Sequence, residues 1–176
     1  MRVEAVDGLT VSLRVNGTDL QEYDDDADQL YVPSHGNKYV EATPGANFQV
    51  HVHARGLRWP KPHDSVECAV YLDGKWVAGK VLNVKTVCDI DGVTEKRDGG
   101  YYHRKFEFCD LQTNDASVKG VDMKAIKNLG EVKVVCHWVL RDVKDKDYEE
   151  SWGEADQPES VPEKCLKGRS ISSKAK

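Results

Sequence analysis

Gly45 is followed by His51 and then, one residue later, by His53. In an extended strand residues two apart share a face, so both imidazoles could reach one ion, and imidazole suits zinc or iron. A metal site of that kind needs a third ligand. Ala54 to Trp59 offers no carboxylate, and around Trp138 the Gly- and Pro-containing second motif that would carry a further histidine is missing. The sequence therefore predicts no metal and keeps His51 and His53 as a metal-binding alternative.

Two further stretches carry chemistry-bearing side chains. Glu22-Tyr23-Asp24-Asp25-Asp26-Ala27-Asp28 gathers carboxylates that a calcium loop could use, but the glycine-punctuated EF-hand loop is missing. A charged hairpin tip is the expectation, since such tips keep strand edges soluble. Arg55, Arg58, Trp59, Lys61 and His63 form a small basic and aromatic loop able to stack on a base or a sugar. Nucleophile signatures are missing: there is no Gly-x-Ser-x-Gly elbow and no Gly-rich phosphate loop.

The elements that must carry these groups read as strands. Val11, Leu13 and Val15 alternate with Ser12, Arg14 and Asn16 before Gly17 turns the chain. Segments 30–32 and 38–42 flank Pro33 to Asn37 and are expected to pair as a hairpin. Phe48, Val50 and Val52 point one way, and Gln49, His51 and His53 the other. Leu57 to Asp64, with two prolines and Trp59, reads as a surface loop. Cys68, Val70 and Leu72 lead into Asp73-Gly74, a strong hairpin signal, and Trp76 to Leu82 returns. Asp91-Gly92 and Asp98-Gly99-Gly100 mark turns before Tyr101 to Cys109, where Phe106 and Phe108 face inward. Val132 to Leu140 is the longest alternating run and is expected to be a central strand. One short helix is expected near residues 121–129, closed by Gly130. Many short strands with a turn about every ten residues predict a mainly all-β fold, an antiparallel β-sandwich or jelly-roll.

A chain of 176 residues with 39% apolar and 31% charged side chains can fold around one core. Its formal charge of -5 argues against general nucleic-acid binding. The start, Met1-Arg2-Val3-Glu4, lacks a secretory signal's apolar run, and no apolar stretch reaches the ~20 residues of a bilayer span. Five cysteines stand twenty or more residues apart with no Cys-x-x-Cys, which fits reduced thiols filling a core in a reducing compartment. Residues 141–158 hold seven acidic and three basic side chains, whereas 161–176 hold five basic and one acidic. The expected division is a sandwich domain over 1–160 and a basic C-terminal segment over 161–176, packed in part or mobile.

The ordered set Val15-Asn16-Gly17 with Leu20 and Glu22-Tyr23, Tyr39-Val40-Glu41-Ala42 with Gly45 and Phe48, Tyr71-Leu72-Asp73-Gly74, and Phe106-Glu107-Phe108 with Leu111 carries a resemblance. Its most specific part is Glu163-Lys164-Cys165-Leu166-Lys167-Gly168-Arg169-Ser170-Ile171-Ser172. The chain resembles, from about Val11 to Ser172, a family of domains of unknown function widespread in fungal proteins, with a closing Lys-Gly-Arg-x-x-Ser element. The resemblance implies a fungal source and a β-sandwich core, and it brings no activity, cofactor or catalytic residue. The acidic insert ahead of the closing element departs from the family pattern.

The expected function is a non-catalytic binding or assembly module for a protein partner, with Lys164, Lys167, Arg169, Arg58 and Trp59 as contact residues and no cofactor. Neither a membrane nor a nucleic acid is expected as partner, and a sheet edge offers a route to homo-oligomers. The setting expected is intracellular, cytoplasmic or nuclear. The runner-up is a cupin-like metal- or ligand-binding sandwich using His51 and His53. A weaker alternative is carbohydrate binding by Trp59 and Trp76.

Overall fold

The structure is a computed structural model, and it describes residues 6–24, 34–54, 56–58, 60–83, 87–111, 113–114, 126–141, 161–162 and 173–175. In chain order the strands are β1 (Leu9–Val15), β2 (Thr18–Asp19), β3 (Glu22–Tyr23), β4 (Tyr39–Val40), β5 (Asn47–Ala54), β6 (Ser65–Leu72), β7 (Lys75–Asn83), β8 (Val87–Ile90), β9 (Gly92–Arg97), β10 (Gly100–Asp110), β11 (Thr113–Asn114), β12 (Val132–Val139), β13 (Val161–Pro162) and β14 (Ser173–Ala175).

They form an antiparallel β-sandwich. One sheet runs β14-β10-β5-β1-β2, with β8 on β5 and β9 on β10; the other runs β12-β6-β7. Short pairs β3 with β4 and β11 with β13 lie outside both. Register makes the core. Val11 faces Val52 and Leu13 faces Val50 across β1 and β5; Val50 then faces Ile90, and Phe48 faces Phe106. The inward rows of the second sheet, Val66, Cys68, Val70 and Leu72, pack in the same buried cluster. Phe48 stacks on Phe106 with centroids 5.5 Å apart and on Phe108 at 4.3 Å, a trio joining two strands of the larger sheet.

Three two-residue turns set the hairpins. Asn16-Gly17, Asp73-Gly74 and Asp98-Gly99 all have positive φ at both positions, the combination that matches strand twist in a tight hairpin. At Asp73 a carboxylate oxygen accepts the Gly130 N–H at 2.7 Å, and the Asp73 N–H donates to the Glu131 carbonyl at 2.9 Å. The turn thus anchors the approach to β12 as well as the β6–β7 hairpin.

Tyr39–Val40 pairs with Glu22–Tyr23, and the partner expected for it at 30–32 lies outside the described residues. One expectation is corrected. β12 is an edge strand among the described residues, and β6 is the central one. The reason is visible in β6 itself: Val66, Cys68, Ala69 and Val70 are all buried, and near-continuous apolar sequence marks burial on both faces better than strict alternation does. Of the helix expected near 121–129, Ile126 and Lys127 are helical and the rest up to 125 lies outside the described residues. Gly130, with φ of +77°, stands where the expected cap would be. No helix among the described residues is long and apolar enough to cross a membrane.

Because Phe48 is 2% exposed and touches both other phenylalanines, Phe48→Ala is expected to cost about 3–5 kcal/mol. Urea denaturation of the two proteins checks this.

Candidate functional site

The outward face of the larger sheet carries a polar row fixed by the same register. Ser12 on β1, His51 on β5 and Asp89 on β8 stand opposite one another across three strands. Arg14 lies one row along, paired with Asp19 on β2 and Gln49 on β5. The Arg14 Nε donates to Asp19 Oδ1 at 2.6 Å, and the Ser12 hydroxyl donates to the same oxygen at 2.7 Å. Those two bonds, Arg14 first, hold the Asp19 carboxyl down at about 2.

His51 Nδ1 lies 2.6 Å from Asp89 Oδ1 and 2.9 Å from Arg14 Nη1. One ring nitrogen cannot serve both, since guanidinium only donates and carboxylate only accepts. Donation by Nδ1 to Asp89 gives the shorter, charge-assisted bond, and Arg14 keeps its fork on Asp19. His53 lines the same open groove, flanked by Thr10 on β1 and Val87 on β8. The alternation reading is right that His51 and His53 share a face. It could not place the guanidinium beside them. No group of three or more His, Cys, Asp or Glu suited to a metal occurs among the described residues.

The other distinctive feature is an arm. Strand β5 pairs along one edge with β8 through Val50 to His53, then with β10 through Asn47 and Phe48. At Asp91 the chain leaves β5, and β9 pairs only with β10, from Gly92–Lys105 to Arg97–Gly100. Inner residues of β10, Phe106 and Phe108, are buried, whereas Tyr101 through Lys105 are exposed on both faces of the strand. Tyr101 is 76% and Tyr102 58% exposed. On one face Glu95 accepts from Arg104 at 2.8 Å and from Arg97 at 2.5 Å, tying the strands together. On the other Tyr101 stands opposite Lys96, and His103 bonds Thr94 at 3.1 Å and approaches Asp91 at 3.2 Å. Gly92 closes the base: a methyl there would run into the Arg104 carbonyl.

A family model for a domain of unknown function, DUF7918, matches residues 8–176. The chain belongs to that family. Neither the curated proteins nor the solved structures contain a match. The match to this DUF7918 domain spans the whole sandwich, the polar row and the arm together.

Of the contact residues expected for this DUF7918 domain, Arg58 is exposed beside the buried Leu57. Trp59, Lys164, Lys167 and Arg169 lie outside the described residues. Around the basic segment, Val161–Pro162 pairs in parallel with β11, and Ser173–Ala175 pairs antiparallel with Phe108–Asp110 of β10. Trp76 is half-buried with its indole beside Gly79. At the edge of the groove Lys38 pairs with Asp24, placing the last described member of the acidic run in an ion pair.

Two outcomes test this geometry. The depressed Asp19 group contributes stability that is complete above its ordinary value near about 4 and fades as pH falls toward about 2. Asp19→Asn is therefore expected to flatten the thermal midpoint against pH between about 4 and 2. Gly92→Ala is expected to cost about 1–3 kcal/mol by overpacking, and to shift the NMR signals of arm residues Tyr101 and Tyr102 while those of β6 stay in place.

Proposed function

We propose that the domain is a non-catalytic docking module that uses the β9–β10 arm to bind an acidic segment of a protein partner. The observation that carries this reading is the arm's exposed Tyr101, Tyr102 and flanking cations on a chain whose formal charge is -5. Between Gly92 and Lys105 stand four Lys and Arg residues against two carboxylates. Tyrosine and arginine carry a disproportionate share of binding energy at protein interfaces, because they offer large contact area with few torsions to freeze.

The partner face is the one bearing Tyr101, Lys96 and Lys105. On the opposite face both guanidiniums are spent on Glu95 and make the arm stiff before it binds. Preorganisation of this sort lowers the entropic cost of docking. Charge complementarity selects an acidic partner and steers its approach. The basic segment with Lys164, Lys167 and Arg169, together with Arg58, is proposed as a second contact for the same partner, supported by its five basic residues against one acidic. The proposed setting is the cytoplasm or nucleus of a fungal cell, supported by widely spaced cysteines and by the resemblance in the closing element.

The test is selection of peptides from a displayed random library on the intact domain. Enriched sequences are expected to be acidic, and their affinity to fall about tenfold or more in the Tyr101→Ala, Lys96→Ala double variant and to weaken as salt rises. Both positions are exposed, so folding is expected to survive. Selected peptides that bind the variant as tightly as the native domain would sink the arm reading.

A further inference from the structure

Behind the polar row and away from the arm, the second sheet holds a pair of thiols. Cys68 on β6 and Cys136 on β12 are direct cross-strand partners, and their sulfurs stand 3.4 Å apart. Cys68 is fully buried. Cys136 is half-buried on β12, an edge strand among the described residues. Directly opposed residues of an antiparallel pair have α-carbons about 4.5 or 5.5 Å apart, and a disulfide accepts α-carbons about 4.4 to 6.8 Å apart. Either register type therefore permits a bond without moving the backbone far. Cys88, by contrast, faces Val52, and burial pushes its thiol up.

We propose that Cys68 and Cys136 form a reversible redox pair, oxidised by a low-molecular-weight disulfide such as oxidised glutathione to a bond that staples the edge strand β12 to the central strand β6. The Cys136 thiolate attacks one sulfur of the small disulfide, forming a mixed disulfide and releasing one small thiolate. Cys68 then gives up its proton to that thiolate and attacks the Cys136 sulfur. The second small thiolate leaves and takes up from solvent the proton that Cys136 had given to it. Two protein thiols lose two electrons, and the small disulfide gains them as two thiols.

The order of attack follows from exposure, since Cys68 is fully buried and Cys136 is not. The bond between the two sulfurs and then burial push the Cys68 thiol up, while the same bond pulls Cys136 down. The more exposed sulfur is thus the better nucleophile. Nothing in the cysteine spacing hinted at this, since 68 residues separate the two.

The reduced full-length chain is equilibrated with mixtures of reduced and oxidised glutathione, acid-quenched, alkylated and mapped by mass spectrometry. A single internal bond joining Cys68 to Cys136 is expected, with β12 amides exchanging about tenfold more slowly once it forms. Accumulation of glutathione on Cys136 without closure, bonds scattered among Cys88, Cys109 and Cys165, or no reaction would each overturn the proposal. Replacing Cys68 opens a cavity in a packed core, so the companion variant is Cys136→Ser. In it Cys68 is expected to lose its reaction with oxidised glutathione, and an undiminished rate at Cys68 would refute the order of attack.

Discussion

A strand offers each residue only one face, and β5 is hydrogen-bonded along both edges, to β1 on one and to β8 and β10 on the other. Sliding that strand by a single residue would turn Phe48, Val50 and Val52 toward water and drive Gln49, His51 and His53 into the core. The apolar rows therefore lock the register, and the polar face comes with it. Ser12, His51 and Asp89 are in line because Leu13, Val50 and Ile90 are in line behind them. Core and surface are two readings of one alignment.

That alignment also makes the polar face a hydrogen-bonded network. Four strands bring one histidine, one guanidinium and two carboxylates within hydrogen-bonding reach, and their charges are already answered by one another. The groups stay partly solvated, so their mutual attraction is modest and adds rigidity more than it adds stability. Chemistry at such a face would have to disrupt existing pairs. The arm has no such constraint, because its tyrosines meet solvent on both sides of the ribbon.

Much of this was legible in the amino-acid order. The alternation in β1 and β5, the tight turn at Asp73-Gly74 and the inward Phe106 and Phe108 follow from local pattern, and the family resemblance rested on the same stretches. Local pattern failed where pairing partners decide. The strict alternation of β12 belongs to a half-covered edge, whereas the continuous apolar run of β6 belongs to the centre. Likewise His51 meets Arg14 and Asp89 across separations of 37 and 38 residues, which no window of sequence reports. The arm did leave a trace: after Gly99-Gly100, Tyr101 to Lys105 lacks any alternation of apolar with polar, as a strand segment exposed on both faces must.

Strand β10 belongs to two worlds at once. Its eleven residues, at about 3.4 Å each, make one continuous rod, clamped among phenylalanines at one end and held at the other by its pairing with β9. A rotation at the clamp is carried along that rod to the tyrosine-bearing end, so the exposed arm and the aromatic stack share a single stretch of backbone.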